Sequence, residues 1–510
     1  MILAYAAAFR VAAMNRPFHY DDEATGGSFY GLIARNYLRF PWRETHGIPV
    51  VTVGRLPGVP LVFYADHSPL VPLLIAPVYA AFGVGEWQTR LPTSIATLMC
   101  VAALFALMRR FGADRAAVAA AAVFAATPMV LHFGGQPEVL GMPLVLFAVL
   151  TIAAYLSFCA RLSLRAFALL VGAFTLAAVS DWPAFVLVPL LAAHFAATRP
   201  RCQWRWMIAF GVIACVVFAL LNIYIAAAAS LPWNWIVPLF IARSVAIGAA
   251  RTFSTRSWLQ MAWTFNLHLH TLPVLVAAVT WIALRGLRFS VPQRGATAAR
   301  LLLAWGILHV VIARQGVFNH EWWWWPLTPG LAAATGLLLD WVLDLLERRE
   351  LVRLPRLCAA AAIALFAAWT AAREYRALFP AHRDGPFTTV ELGQAIRAAA
   401  PAPNDLAMLA WSGDDPELWF YGDRPLRADI WSVDDFIRRS SDPYADLVFG
   451  DLQPWPAPPA GLVFPAICRQ TLPELYGLLA AKYPRVPLPA GLGNKFDVFA
   501  LDGRETPPSR

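Results

Sequence analysis

Residues 92–110 read PTSIATLMCVAALFALMRR, an apolar run that is closed by two arginines. A helix needs roughly 17–25 mostly apolar residues to cross the hydrocarbon core of a bilayer, so this run is long enough for one span. Comparable runs recur along the chain, of whose residues 59% are hydrophobic and only 14% are charged. The sequence therefore predicts an all-α polytopic membrane protein with about 11 spans.

Arginine clusters between these runs predict the topology, because positive residues concentrate in cytoplasmic loops. The clusters assigned to the cytoplasm begin at Arg109, Arg161, Arg199, Arg285 and Arg348. A first helix lies within 1–14, and no basic region precedes it, so we expect the outer half of a span rather than a signal peptide. The later spans are predicted over residues 92–110, 115–133, 139–158, 165–181, 183–198, 206–228, 271–286, 300–314, 322–346 and 355–372.

Most of the remaining polar segments then fall on the opposite, outer face. They are residues 15–91, the loops that hold Glu138 and Asp181, and residues 230–268 and 315–321. Within the first outer loop, residues 69–82 are apolar but too short to cross, which favours an interfacial or re-entrant helix. The sequence thus predicts that polar chemistry collects on one face of the membrane.

The composition changes near Leu378, after which no run is long enough to span a bilayer. Short strand-like runs at 406–411, 447–449 and 497–501 are mixed with helical patterns at 392–399 and 472–482, as in a small α/β layer. We predict a transmembrane domain over residues 1–377 and an outer, extracytoplasmic α/β domain over residues 378–510.

Several functions and cofactors are disfavoured by the sequence. The net charge is +9, but its arginines lie between apolar runs and lysine occurs only at Lys482 and Lys495, so a nucleic-acid partner is not indicated. The six cysteines form no CxxC pair, which disfavours a disulfide framework or zinc site. No glycine-rich phosphate loop is present, so we expect no nucleotide cofactor.

An acidic triplet, Asp21-Asp22-Glu23, follows the first helix directly. Carboxylates close to hydrocarbon are rare and usually functional, so this triplet is a candidate general base, metal ligand or substrate clamp. A solvated turn that caps the next helix is the alternative interpretation.

Further motifs follow in a fixed order. They are YADHSPL (64–70), FGVGEWQTRLPT (82–93), HFGGQPE (132–138) and HEWWWWPLTPG (320–330). With the acidic triplet, this order resembles the polyprenyl-phosphate-sugar-dependent integral membrane glycosyltransferases of the C-type fold. That superfamily includes the aminoarabinose transferase of lipid A and the protein O-mannosyltransferases. The resemblance covers roughly residues 1–340, and residues 83–92 are its most specific part.

The resemblance implies roles for the acidic residues. Asp22 would be the general base that takes the proton of the acceptor hydroxyl, with Glu23 beside it orienting the acceptor, and Asp21 would be solvated. Glu138 would be a second acidic group near the acceptor or a metal; a carboxylate that stabilises a helix N-terminus is the alternative. Asp66 and His67 are a candidate ligand pair for a divalent metal ion, with helix capping equally open.

A lipid-phosphate leaving group requires cations on the outer face, and arginine suits phosphate because it forms paired hydrogen bonds. Loop 230–268 contains Arg243, Arg251 and Arg256 among tryptophans, and we favour Arg251 or Arg256, assisted by His320. The alternative for this loop is an interfacial helix with an aromatic belt. The tryptophans at 322–325 are likewise expected to be mainly belt residues, and Arg90 to anchor a loop or pair with Glu86.

Taken together, the residues and the resemblance imply an inverting glycosyltransferase of the bacterial inner membrane, with its active site on the periplasmic face. It would move a sugar from a polyprenyl-phosphate donor to a hydroxyl of an envelope glycan, a lipid or a protein. The alternatives are an oligosaccharide ligase or polymerase with a diphosphate-linked donor, and a membrane transporter or flippase.

Overall fold

The computed structural model contains two compact units. It describes residues 1–18, 22–55, 60–111, 114–138, 140–244, 253–286, 295–349, 353–379, 386–413, 416–442 and 458–502, with only the backbone of residues 22–25, 285 and 286. The first unit comprises residues 1–16 and 65–381, and the second comprises residues 17–64 and 382–510.

The described helices of the first unit are mostly apolar. In chain order they are α1 (Ile2–Met14), α4 (Leu70–Phe82), α5 (Glu86–Phe111), α6 (Asp114–Ala126), α7 (Pro128–Phe133), α8 (Leu144–Arg161), α9 (Leu164–Ser180), α10 (Leu187–Thr198), α11 (Arg205–Ala228), α12 (Ile236–Ser244), α13 (Thr255–Leu269), α14 (Leu272–Trp281), α15 (Ala296–Ile312), α16 (Arg314–Asn319), α17 (Thr328–Glu347) and α18 (Arg353–Leu378). Short 3₁₀ or π turns cover Trp182–Val186, Arg201–Gln203, Ile282–Gly286 and Glu321–Leu327.

The second unit contains shorter elements. Its helices are α2 (Asp22–Arg39), α3 (Trp42–Thr45), α19 (Thr389–Ala399), α20 (Pro416–Gly422), α21 (Val433–Ser441), α22 (Cys468–Thr471) and α23 (Pro473–Lys482), and its strands are β1 (Ala407–Leu409), β2 (Leu426–Arg427), β3 (Gly461–Pro465) and β4 (Phe496–Ala500). The predicted combination of a helical membrane unit with a small unit that holds a sheet is confirmed.

Every predicted span coincides with a helix or with two consecutive helices. Among the described residues, five helices are long and apolar enough to cross a membrane singly. A sixth candidate is the pair α13 and α14, which is bent by 107°. Such a bend fits the predicted interfacial helix that is followed by a span. The remaining apolar helices are shorter, so length alone supports five or six spans rather than eleven.

Small residues set the packing of the helical unit. Nine of the 13 residues of α6 are buried, and most of these nine are alanine. Gly336 of α17 lies so close to it that an added Cβ would stand 2.6 Å from the carbonyl oxygen of Ala116. Close approach of backbones through small residues is how membrane helices gain dispersion energy, since lipid offers them no hydrophobic driving force. In contrast, α11 and α18 leave most of their apolar surface uncovered.

The predicted cytoplasmic ends meet in the structure. Glu347 at the end of α17 binds Arg115 (2.9 Å) and Arg356 (2.7 Å), and Arg199 donates to the carbonyl oxygen of Cys159. These contacts join segments that the arginine pattern assigned to one side. The alternation of loops that the sequence predicts is thus consistent with the packing.

The second unit is built around a four-stranded sheet of order β2-β1-β3-β4. β1 pairs in parallel with both β2 and β3, whereas β4 runs antiparallel to β3. The predicted strands near 406–411 and 497–501 correspond to β1 and β4, and the predicted helices correspond to α19 and α23. The predicted strand 447–449 lies outside the described residues, and the sequence did not predict β2 or β3.

The first outer loop packs with this sheet unit, a division that differs from the predicted domains 1–377 and 378–510. The side chain of Asp423 receives two hydrogen bonds from Arg39 (2.6 and 2.7 Å) and an ion pair from Arg35 (3.0 Å). The Phe18 ring lies edge-on to Phe420 at 5.0 Å. Helix α2 is therefore fastened to the helix that connects β1 with β2.

Candidate functional site

Trp323 is the centre of a polar and aromatic cluster at one end of the helical unit. It lies in the 3₁₀ turn Glu321–Leu327 and is buried. The carbonyl oxygen of Trp323 accepts a hydrogen bond from Nε2 of His309 in α15 (3.1 Å). Gly306, one turn earlier, lets α15 approach the turn, since a Cβ there would stand 2.5 Å from the Cα of Leu327. Helix α15 therefore positions the backbone of Trp323.

An ion pair and a histidine–carboxylate pair lie beside this tryptophan. Arg243 of α12 donates to Asp66 (Nη2 to Oδ2, 3.2 Å) and lies over the Trp323 ring, with Cζ 5.8 Å from its centroid. His67 contacts Asp181 (Nδ1 to Oδ2, 3.0 Å), and the His67 ring lies 6.5 Å from that of Trp323. Four separate segments that the sequence assigns to the outer face therefore converge here.

His320 completes the cluster on the side of Trp322. Its ring stacks on Trp322 with centroids 4.7 Å apart and lies 6.2 Å from Trp323. Burial, together with the positive charge of Arg243 and the nearby His67, lowers the pKa of His320 to about 4. At neutral pH this imidazole is therefore uncharged, so it offers a phosphate a neutral N–H rather than a positive charge.

A small cavity of about 30 Å³ adjoins Asp66, His67 and Asp181 of these two pairs. Its polar wall is formed by Asp66, His67 and Asp181, and its apolar wall includes Phe218 and Ile225 of α11. Helix α11 exposes most of its length, so the cavity connects a polar cluster with a surface suited to lipid.

A second polar network lies on the other side of Trp322, whose ring is 6.3 Å from that of Phe133. Glu374 of α18 is fully buried and binds His132 (3.0 Å) and Arg373 (3.3 Å). Arg373 also donates to the carbonyl oxygen of His268 (2.9 Å), whose ring faces Glu321 at 3.3 Å. These contacts fix the start of the tryptophan turn to α13 and α18.

The predicted site residues are only partly brought together. Asp66, His67 and His320 meet around Trp323. Arg256 is exposed in the first turn of α13, and Arg251 lies outside the described residues. Glu138 is buried at the turn between α7 and α8, where its carbonyl oxygen accepts a hydrogen bond from the amide of Gly141 (3.1 Å).

The two proposed catalytic carboxylates occupy the first turn of α2, which begins at Asp22. Their side chains lie outside the described part of the structure. A helix N-terminus stabilises negative charge, so this backbone position suits ionised carboxylates. The roles of Asp22 and Glu23 stay predictions.

The described residues do not assemble a metal centre. Among them, no group of three or more His, Cys, Asp or Glu side chains could hold a metal ion. Asp66 is engaged by Arg243, and His67 by Asp181. The proposed ligand pair is thus split between two partners of its own, and these contacts do not fit the expected divalent ion.

Some contributors to the cluster were missed or misjudged from the sequence. Asp181, which the sequence placed only in an outer loop, is buried and bound to His67. Its position between two apolar runs on the outer side was the available signal. Trp323, Trp324 and Trp325 are buried rather than forming a lipid-facing belt, because their turn is covered by α15 and neighbouring segments. Arg90 anchors the first helix by donating to the carbonyl oxygens of Met14 (3.1 Å) and Arg16, as the loop-anchor interpretation predicted.

Comparison with known proteins supports the resemblance. Residues 66–225 match the family model of dolichyl-phosphate-mannose-protein mannosyltransferases. No curated protein shows a significant sequence match. A solved structure of ArnT from Cupriavidus metallidurans, bound to undecaprenyl phosphate, matches 100% of this chain and 98% of its own length, with 16% identity and a TM-score of 0.64.

A second similar structure is the archaeal oligosaccharyltransferase AglB from Archaeoglobus fulgidus, in complex with an inhibitory peptide and a dolichol-phosphate. It matches 99% of this chain and 74% of its own length, with 12% identity and a TM-score of 0.58. The predicted resemblance to C-type-fold membrane glycosyltransferases is thereby confirmed. Because the sequence identities are only 16% and 12%, the structural matches show a shared fold and nothing more.

Proposed function

We propose that this protein is an inverting glycosyltransferase that moves a sugar from a polyprenyl-phosphate donor to an acceptor hydroxyl. The observation that carries the proposal is the Trp323 cluster, where Arg243 lies over an aromatic ring beside a cavity with one polar and one apolar wall. Arg243 supplies the cation for a lipid phosphate, and the exposed apolar length of α11 offers a surface for its tail. The fold shared with ArnT and AglB supports the same class of donor.

Arg243 is the cation that we assign to the leaving phosphate, in place of Arg256. Asp66 occupies one of its N–H donors and holds the guanidinium over Trp323, which leaves further donors for phosphate oxygens. His320, which lies 6.2 Å from the same ring, contributes a neutral N–H. Arg256, on the exposed face of α13, has no comparable surroundings among the described residues.

The reaction that follows is a single displacement. Asp22 takes the proton of the acceptor hydroxyl while its oxygen attacks the anomeric carbon, and the bond from that carbon to the phosphate oxygen breaks. The polyprenyl phosphate leaves with the electron pair, and Arg243 stabilises the negative charge that develops on it. Attack opposite the leaving group inverts the anomeric configuration. Glu23 would orient the acceptor, and Glu138 remains a candidate second acidic group near it.

We further propose eleven spans in a bacterial inner membrane, with the Trp323 cluster and the sheet unit on the periplasmic face. The acceptor would then be a hydroxyl of an envelope glycan, a lipid or a protein. A divalent metal ion would bind Asp66 or His67 only if that side chain released its present partner, Arg243 or Asp181. No step of the reaction is therefore assigned to a metal.

The test is a transfer assay with the purified protein in lipid nanodiscs and a panel of polyprenyl-phosphate sugars. We expect release of free polyprenyl phosphate with one donor, and a loss of about 100-fold or more in Arg243→Gln, comparable to removing one stabilising donor from an active site. The matched control is Arg256→Gln, which should retain activity. Turnover only with diphosphate-linked donors would favour an oligosaccharide ligase, and solute uptake without transfer would favour a transporter.

A further inference from the structure

Arg314 has surroundings that differ from those of Arg243. Its guanidinium carbon lies 5.3 Å from the ring centroid of Trp258 and 5.6 Å from that of Phe253. The side chain is half-buried. In the part of the chain that the structure describes, no carboxylate forms an ion pair with it, whereas Arg243 is bound to Asp66.

The aromatic walls around Arg314 are fixed in place. The indole Nε1 of Trp258 donates to the carbonyl oxygen of Arg314 itself (3.0 Å), which ties α13 to the start of α16. Trp258 also lies 6.3 Å from Trp324, and Phe253 lies 4.9 Å from Phe318. The arginine is therefore held between two rings that cannot neutralise its charge.

A cation that is partly removed from water without a counter-ion favours an external anion. Aromatic faces attract a guanidinium, but they leave its N–H groups without acceptors. A phosphate offers these acceptors in paired geometry, and the neighbouring tryptophans suit the headgroup level of a membrane. Arg314 is separate from Arg243, because it contacts Trp258 and Phe253 rather than Trp323.

We propose that Arg314, Trp258 and Phe253 form a second site, which binds the phosphate group of a membrane lipid. This site is independent of the proposed transfer reaction, since it requires no sugar and no catalytic carboxylate. Two lipids carry the required chemistry, namely an anionic phospholipid and the polyprenyl phosphate itself.

Native mass spectrometry of the full-length protein can test the site with two probes, phosphatidylglycerol and geranylgeranyl monophosphate, each titrated separately. For at least one probe, we expect Arg314→Gln to weaken one binding event about tenfold, as expected for the loss of one charge-assisted hydrogen-bonded pair. Arg314→Lys should weaken it less, because the charge remains but the planar fork is lost. The binding event that Arg243→Gln removes should stay unchanged in Arg314→Gln. Arg256→Gln is the matched control and should bind as the wild type does.

If Arg314→Gln weakens the binding of phosphatidylglycerol alone, the site exists and a phospholipid occupies it. If the variant weakens the binding of geranylgeranyl monophosphate alone, the site exists and the donor lipid occupies it. Equal binding by wild type and Arg314→Gln, or equal loss in Arg256→Gln, would overturn the proposal. Thermal unfolding of each variant is measured in parallel, and a variant that is misfolded is replaced by Trp258→Phe, which removes the indole N–H but keeps an aromatic wall.

Discussion

At the scale of single residues, the reaction depends on one carboxylate at the start of α2. We expect Asp22→Asn to reduce transfer about 10²–10⁴-fold, because an amide cannot take the acceptor proton. The measurement is turnover of the purified variant with the donor that the wild type uses. Asp21→Asn is the matched control, one residue away and expected to be solvated, and it should retain activity. Unchanged turnover in Asp22→Asn would remove the catalytic assignment.

His309 lends itself to a second prediction because its hydrogen bond defines its tautomer. Nε2 faces the carbonyl oxygen of Trp323, so it must carry the proton, and Nδ1 is a buried acceptor that finds no partner among the described residues. His309→Gln can present an amide N–H at the position of Nε2, whereas His309→Leu cannot. We expect Leu to raise the KM for the lipid donor about tenfold, and Gln to restore most of the affinity.

The KM and the kcat separate this positioning role from a general loss of structure. A role of His309 in holding Trp323 affects the donor site first, so KM should change more than kcat. Equal reductions of kcat in the Gln and Leu variants, with KM unchanged, would contradict it.

The residues of the site were predictable to the extent that each carries a local motif. Asp66, His67 and His320 stand in motifs that resemble a known family, and the structure brings them together. Asp181 and Arg243 complete the same cluster, but neither stands in a motif of its own. Their partners are far away in sequence, at distances of 114 and 177 residues, so only the tertiary fold reveals the pairs.

At the scale of elements, helix α2 links the proposed base to the sheet unit. Arg35 and Arg39, near its end, both bind Asp423, and Arg35 also donates to the carbonyl oxygens of Trp419 and Phe420 (both 3.0 Å). These bonds fix the axial position of α2 relative to α20. A shift of α2 along its axis would displace residues at its first turn as well.

Asp423→Asn should therefore lower both stability and activity. The variant leaves two arginines without their shared carboxylate, and we expect the melting temperature to fall by about 2–4 °C for each kcal/mol lost. Transfer should fall by more than the unfolded fraction explains, because α2 is loosened. The control is Asp434→Asn, an exposed position in the first turn of α21 in the same unit. An unchanged melting temperature in Asp423→Asn would contradict the proposed anchoring.

The elements themselves were predicted with uneven success. Membrane helices are long, and their apolar runs are marked in the sequence, so their positions were predicted well. The sheet was predicted in part, because β2 has only two residues and leaves no alternation to detect. The association of residues 17–64 with the sheet unit was not predicted, since no composition change marks it. The pairs Phe18–Tyr421 and Asn36–Val50 that stabilise this part are tertiary contacts.

At the scale of the whole molecule, the proposed reaction requires one water-exposed face that carries both the Trp323 cluster and the sheet unit. Three of the helix ends that the sequence assigns to the cytoplasm meet through the contacts of Glu347 with Arg115 and Arg356. A protein that used both faces equally, as a transporter does, would distribute its polar chemistry near the membrane midplane instead. The location of single cysteines can distinguish these arrangements.

Labelling of single cysteines in a cysteine-free background should give opposite results for the two faces. Native Cys202 is exposed in the turn Arg201–Gln203, which we predict to be cytoplasmic, and Ser432→Cys would sit at the N-terminus of α21 in the sheet unit. In intact spheroplasts, a membrane-impermeant maleimide should label Ser432→Cys but not Cys202, and permeabilisation should make both reactive. Ser254→Cys, in the exposed cap of α13, should behave like Ser432→Cys because it belongs to the same predicted face. If the maleimide labels Ser254→Cys and Cys202 from the same side of the membrane, the arginine-based topology is wrong. The proposal that donor and acceptor meet outside the cytoplasm would then be wrong as well.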